Sequence, residues 1–223
     1  MYLKKLNYLK FYNLINLFKV IFSRIFLRFL SRDLDIPKWH LNATYYVREY
    51  KSKVIGVCNT FKSDIEYIIE VGCGTGELIS RVDINNKIGI DIDKNVLTLC
   101  NRLHPKLNTL CLDVMSDYNT FLNKLNNIEK DKNIMIVMIN WLHIYKKEEA
   151  NFLIENLLLL DRNILIVVDI YSRIEFSKRT DNKIKHDFSK IKKIKWTKIF
   201  EEVDKVRDIA LFSNFKLKKV FNI

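Results

Sequence analysis

The stretch Glu70-Val71-Gly72-Cys73-Gly74-Thr75-Gly76-Glu77 gathers three of the five glycines in a chain of 223 residues. A fourth, Gly89, stands in Gly89-Ile90-Asp91-Ile92-Asp93. Glycine lets a backbone turn tightly and come close to a ligand where any Cβ would collide. Glu70 lies two residues before the first of these glycines and Asp91 lies 19 residues after it. An acid at the second position can accept hydrogen bonds from ribose hydroxyls. The nicotinamide fingerprint G-x-G-x-x-G would need glycine where Glu77 stands, and the Gly-Lys-Ser/Thr of a phosphate-binding loop is absent. A pyrophosphate would sit poorly among Glu70, Glu77 and Asp91. A cofactor that carries positive charge and no phosphate fits better.

Such a loop acts only if a strand delivers it and a helix follows. Tyr67 to Val71 reads as that strand and Glu77 to Val82 as the helix. Lys87 to Ile92 is a second strand, after which Asp93 can cap a helix from Lys94 to Leu103. A third strand, Thr109 to Val114, precedes a polar helix over Tyr118 to Asn126. Ile134 to Ile139 is almost wholly apolar, as a strand covered on both faces must be. A helix over Glu148 to Leu160 leads to a fifth strand, Ile164 to Asp169. This alternation predicts an α/β, Rossmann-like, doubly wound and mostly parallel seven-stranded sheet. Its edge is an antiparallel hairpin of Trp196 to Val203 with Asp208 to Phe215, although residues 199–212 also fit a helical period. Upstream, Ile36 to His40 reads as extended, and Tyr45 to Thr60 as a helix with Tyr46, Val47, Tyr50, Val54 and Val57 on one side.

From Trp39 to Asp169 the sequence resembles the class I S-adenosylmethionine-dependent methyltransferases, and the glycine loop is the specific part of that resemblance. S-adenosylmethionine is a cofactor of the cationic, phosphate-free kind. The resemblance implies that Glu70, Gly72, Cys73, Gly74 and Gly76 cradle its methionine part. It further implies that Asp91, with Ile92 beside it, holds the ribose and that Asp113 contacts adenine. Asp93 is offset by two and reads as a helix cap. Asn140, Trp141, His143 and Tyr145 follow the fourth strand, where the family lines its methyl-transfer site. Trp39 and His40 belong to a lead-in, Pro37-Lys38-Trp39-His40 with Arg48-Glu49-Tyr50, that is similar to small methyltransferases of surface-polysaccharide and other glycan biosynthesis. Two departures stand out. The Asp that often starts the fourth strand is missing, and Asp161-Arg162-Asn163 replaces the usual Gly-Gly before the fifth.

Methyl transfer is an in-line displacement at an activated sulfonium, so the cofactor carries the electrophile and the protein aligns the nucleophile. A hydroxyl acceptor would gain from a general base. His143 is the candidate base, with His40 and His186 as further histidines; each can equally be a packed or surface side chain. Tyr145, Tyr171 and Trp141 are candidate acceptor walls, or simply core.

Formal net charge is +12, but it is not spread evenly. Residues 1–32 carry Lys4, Lys5, Lys10, Lys19, Arg24, Arg28 and Arg32 and no acid, and residues 173–223 carry 15 basic and 7 acidic residues. The middle is mildly acidic, which argues against a basic groove through the core. Residues 1–32 project as a helix with Lys and Asn on one half and Phe, Leu and Ile on the other. That is the pattern of a helix lying in a membrane interface. A targeting presequence, or a helix covering the domain or a dimer partner, shares it. The chain thus divides into a basic amphipathic segment, 1–32, and a methyltransferase domain, 33–223.

The four cysteines form no C-x-x-C pair and have no histidine at ligand spacing, so neither a metal nor a disulfide framework is expected. They favour a cytoplasmic setting, and the amphipathic segment 1–32 adds a peripheral place at the inner membrane face. With 48% hydrophobic residues the chain is not disordered. Three functions remain. The first is methyl transfer to a small-molecule or glycan-like acceptor. The second is methylation of RNA or protein with the basic carboxyl-terminal third as dock, against which Asn140-Trp141-Leu142-His143 lacks the Asn/Asp-Pro-Pro-aromatic signature. The third is a non-catalytic nucleotide-fold module that recruits partners.

Overall fold

The computed structural model describes residues 2–42, 44–171, 188, 191, 196–200 and 207–217. Helices α1 (Tyr2–Leu30), α2 (Lys38–Asn42) and α3 (Glu49–Thr60) precede strand β1 (Tyr67–Val71). Then follow β2 (Asn86–Asp91), α4 (Lys94–Leu103), β3 (Asn108–Cys111), α5 (Tyr118–Asn126) and β4 (Ile134–Met138). The chain continues through α6 (Lys147–Leu158), β5 (Ile164–Tyr171), β6 (Trp196–Phe200) and β7 (Arg207–Ser213). The strands lie in the order β3-β2-β1-β4-β5-β7-β6. β1 pairs in parallel with β2 and β4, whereas β7 runs antiparallel to both β5 and β6. The chain therefore reverses direction across the sheet between β1 and β4, which opens a crevice at their carboxyl ends.

Strand periodicity of two explains the two cores. Ile134, Ile136 and Met138 of β4, with Ile164, Ile166 and Val168 of β5, face α5 and α6 through Phe121, Leu125, Leu153 and Leu157. The alternate residues Met135, Val137, Leu165 and Val167 face α3 and α4 through Val54, Cys58 and Cys100. Every residue of β4 is buried, as its composition required.

Three local expectations are corrected. The segment after the glycine loop forms only a single 3-10 turn, Ile79–Arg81, in place of a helix over residues 77–82. The Glu70 carboxylate, delivered by β1, accepts the Ile79 N–H at 3.0 Å and fixes the path of the segment, and the turn closes through the Arg81 N–H on the Leu78 carbonyl at 3.0 Å. Residues 38–42 are helical because Pro37 sits just ahead of them, where its missing N–H costs nothing. Helix α3 starts at Glu49 and not at Tyr45, leaving Tyr46 and Val47 exposed while Tyr50, Val54 and Val57 are buried.

Asp93 caps α4, its carboxylate accepting the Asn95 and Val96 N–H groups at 2.9 and 3.1 Å. Residues 199–200 and 208–212 lie in paired strands, which decides for the hairpin over the helical period. The hairpin's expected continuation over residues 201–203, and most of the lysines at 190–198, lie outside the described residues. Arg162, where Gly-Gly is usual, is buried, and its guanidinium donates to the carbonyls of Leu125, Ile128 and Glu129 at the end of α5. A cation that satisfies orphan carbonyls at a helix carboxyl end explains the departure.

Candidate functional site

The crevice at the sheet's reversal holds a cavity of about 750 Å³, within the range of cofactor and ligand pockets. Of the residues singled out from sequence, Trp39, His40, Glu70, Gly72, Cys73, Gly74, Asp91, Ile92, Asp113, Asn140, Trp141, His143 and Tyr145 all line it. Gly76 does not. It has φ +72°, and a Cβ there would stand 2.6 Å from Cys100 Sγ. Gly76 thus lets the loop pack on α4. His186 and the side chain of Tyr171 lie outside the described residues.

The loop is held by the strand beside it. The N–H groups of Gly72 and Cys73 both donate to the Ile90 carbonyl, at 2.8 and 2.9 Å. Asp91 takes the Gly74 N–H on Oδ2 at 2.8 Å and the Asp93 N–H on Oδ1 at 3.0 Å. One carboxylate therefore ties the glycine loop to the end of β2 while remaining on the cavity wall. Gly72 has φ +73°, and a Cβ there would meet the Trp141 indole at 2.6 Å, so only glycine lets that ring close on the loop. Trp141 and Tyr145 pack with ring centroids 4.8 Å apart.

Charge in the cavity is arranged by burial. Glu70 is pushed up to about 8 by burial, which the nearby Lys51 charge and the Ile79 N–H only partly offset. Burial also lowers Lys51, against the pull of Glu77 and Glu70. Asp113 faces burial, yet hydrogen bonds from Ser116 and Met115 hold its carboxyl below the usual range. Burial, followed by the charges of Asp113 and Glu149, raises Tyr145 to about 12, so its hydroxyl stays protonated at neutral pH. The Cys73 thiol is pushed well up by its hydrogen bond with Cys100 and by burial, which suits a spacer and not a nucleophile.

No protein-family profile and no curated protein matches the sequence. Solved structures do resemble it. Magnesium protoporphyrin IX methyltransferase from Synechocystis PCC 6803, with bound SAM, matches at TM-score 0.53 and 14% identity over 78% of this chain and 83% of that one. The plantazolicin methyltransferase BpumL in complex with SAH matches at TM-score 0.54 and 15% identity, over 90% of this chain and 100% of that one. The small RNA methyltransferase HEN1 matches at TM-score 0.53 and 14% identity, over 76% of this chain but 25% of that one. This chain has the class I S-adenosylmethionine-dependent methyltransferase fold.

Within the methyltransferase fold, the cavity also takes in Arg48 and Tyr50, which the sequence placed in the lead-in without a site role, and Lys51 and Arg207, which it did not single out. Tyr50 had the signature of a core position, because it falls on the apolar stripe of α3. Arg207 carries no local signal at all, since β7 brings it in from the far end of the chain. There it donates to Asn140 Oδ1 at 2.9 Å, pairs with Asp169 at 3.3 Å and lies over the Tyr50 ring at 4.0 Å. Asn140 itself has φ +58°. Its side chain donates to the Tyr50 hydroxyl at 2.6 Å and its N–H donates to Asp169 at 2.9 Å.

His40 forms part of the roof, stacked against Trp39 at 3.4 Å, and burial lowers it to about 4. A folded value below the unfolded one makes its contribution complete above about 6.5 and lost as pH falls through about 4. Urea unfolding at both ends of that window is expected to show wild type losing up to about 3 kcal/mol more than His40→Gln. Parallel losses in the two proteins would mean that His40 does not resist protonation.

Proposed function

We propose that this chain is an S-adenosylmethionine-dependent methyltransferase acting on a small-molecule or glycan-like acceptor. The observation that carries the reading is the grouping of acidic and basic side chains around one glycine loop. Glu70 and Asp91 line the same wall system as Arg48 and Lys51. A zwitterionic amino acid carrying a ribose needs that set, with an acid for its ammonium, a cation for its carboxylate and an acceptor for its diol. Gly72 and Gly74 let Trp141 and His40 close directly on the loop, where a Cβ would meet them at 2.6 and 3.1 Å. Asp91 would hold the ribose, Ile92 and Asp113 the base, and Glu70 with Lys51 the amino-acid end. When bound, the cofactor supplies the methyl electrophile.

The chain's own groups then have three tasks. Trp141 and Tyr145 wall the acceptor side and exclude water. Trp39 and His40 close the roof over Gly74. His143, buried in the single turn Leu142–Ile144 on the cavity wall, takes the proton from an acceptor hydroxyl. The basic amphipathic segment, residues 1–32, adds a peripheral membrane-surface location, and the domain proper is residues 33–223.

Calorimetric titration of the full chain with S-adenosylmethionine is expected to give binding in the micromolar range, abolished in Gly74→Arg. At Gly74 φ is +55° and His40 Nδ1 already lies 3.1 Å from where a Cβ would go. With labelled methyl transfer in hand, His143→Ala should keep the binding heat and lose transfer. Absence of heat from the folded wild-type protein would end this reading.

A further inference from the structure

Helix α1 is gripped by the domain on the side that its sequence makes polar. The part-buried and buried positions of its second half are Asn16, Val20, Ser23, Arg24, Leu27 and Leu30. Leu27 packs with Ile36, Val96 and Leu99, and Arg102 of α4 donates to the Leu30 carbonyl and to Asp33 at 2.6 Å each. Lys19 reaches over the Tyr46 ring at 5.9 Å, and α1 packs against α2, whose Trp39 and His40 roof the cavity. The apolar side is turned away from the protein. Leu14, Phe18, Ile21, Phe22, Ile25 and Phe29 are 48–70% exposed, and Phe18, Phe22 and Phe26 form an outward ladder with centroids 6.4 Å apart. A helix whose purpose was to cover the domain would face the other way.

The outward arc covers about half of the helical wheel. A two-helix seam needs a narrower stripe with complementary charges beside it. Here Tyr2–Leu30 carries six Lys and Arg residues and no acid, so a second copy would bring like charge against like. Broad apolar surface flanked only by cations is complementary to an anionic lipid surface. Among the described residues no helix is long and apolar enough to cross a membrane.

We propose that the outward Phe/Leu/Ile face of α1 is a docking surface for an anionic phospholipid bilayer, with the opposite face fixed to the roof of the cavity. This deepens the membrane-surface part of the proposed function and rests on it. The test is flotation of the full chain with vesicles of phosphatidylcholine, alone or mixed with phosphatidylglycerol. Capture is expected only by the mixed vesicles, and about tenfold weaker at roughly 0.5 M salt. The exposed triple variant Phe18→Gln/Phe22→Gln/Phe26→Gln should lose capture while its heat of S-adenosylmethionine binding is unchanged. Equal capture of the triple variant, or equal capture by neutral vesicles, overturns the proposal. So does a wild-type dimer in sedimentation that ignores vesicles and that the triple variant dissolves. Capture without any cofactor heat would keep the docking surface and remove the methyl-transfer reading instead.

Discussion

Asp91→Ala is expected to weaken S-adenosylmethionine binding by about a hundredfold or more while leaving the sheet folded. The size follows from two losses. A charge-assisted hydrogen bond to a ligand hydroxyl contributes about 1.5–3 kcal/mol. In addition, the Gly74 and Asp93 N–H groups lose their shared acceptor, at 2.8 and 3.0 Å, and the loop is no longer tied to β2. Each buried donor left unsatisfied costs about 1–3 kcal/mol, part of which water entering the cavity recovers. Asp91→Asn should fall between, because its amide oxygen can still accept one N–H but its NH2 cannot accept the other. Calorimetry on the three proteins checks the order, and an alanine variant that binds as tightly as wild type would remove Asp91 from the cofactor site.

The second large effect lies in the ion pair of Asp169 and Arg207. Their side chains are 1% and 6% exposed, so neither charge has water to fall back on. Arg207→Met leaves the Asp169 carboxylate buried beside Asn140, and removal of one partner from such a pair costs about 3–5 kcal/mol. For a domain of this size that lowers Tm by on the order of 10 °C. The double variant Arg207→Met/Asp169→Leu removes both charges and should recover a large share of that loss. It should not recover activity. Asn140 holds φ +58° with its backbone N–H donating to Asp169 and its side-chain Oδ1 accepting from Arg207, and that turn directs the chain into Trp141 and the acceptor wall. Thermal unfolding and methyl-transfer rates separate the two effects. A double variant no more stable than Arg207→Met alone would show that the pair is not the unit.

The same two sites show how differently residues announce themselves. Gly72, Gly74 and Asp91 are legible because their work is local. A tight turn needs glycine within the turn, and an acid at the end of a strand needs only that strand and its neighbour. Asp93 is legible as a cap because a cap bonds residues two and three ahead. Arg207 is 67 residues from Asn140 and 38 from Asp169, and nothing in its own neighbourhood distinguishes it from the other basic residues around it. Lys51 and Tyr50 sit on a helix whose apolar stripe reads as core, and only the fold shows that the stripe ends at the cavity. The misjudged helix after Gly76 has the same origin. Its propensity was local, but the Glu70 carboxylate that takes the Ile79 N–H arrives from β1.

By itself, then, the sequence determined the order of strands and helices, the glycine loop with its two acids, and an amino-terminal helix split into cationic and apolar halves. All of these rest on periodicity, capping and backbone freedom, which act within about a dozen residues. Only the tertiary structure decided that Gly76 packs on α4 and that Arg48, Lys51 and Arg207 put cations into an acidic pocket. It alone turned the apolar half of α1 outward. Those outcomes depend on which surfaces meet when the sheet assembles, and the pairing of β5 with β7 brings together residues that no local rule relates.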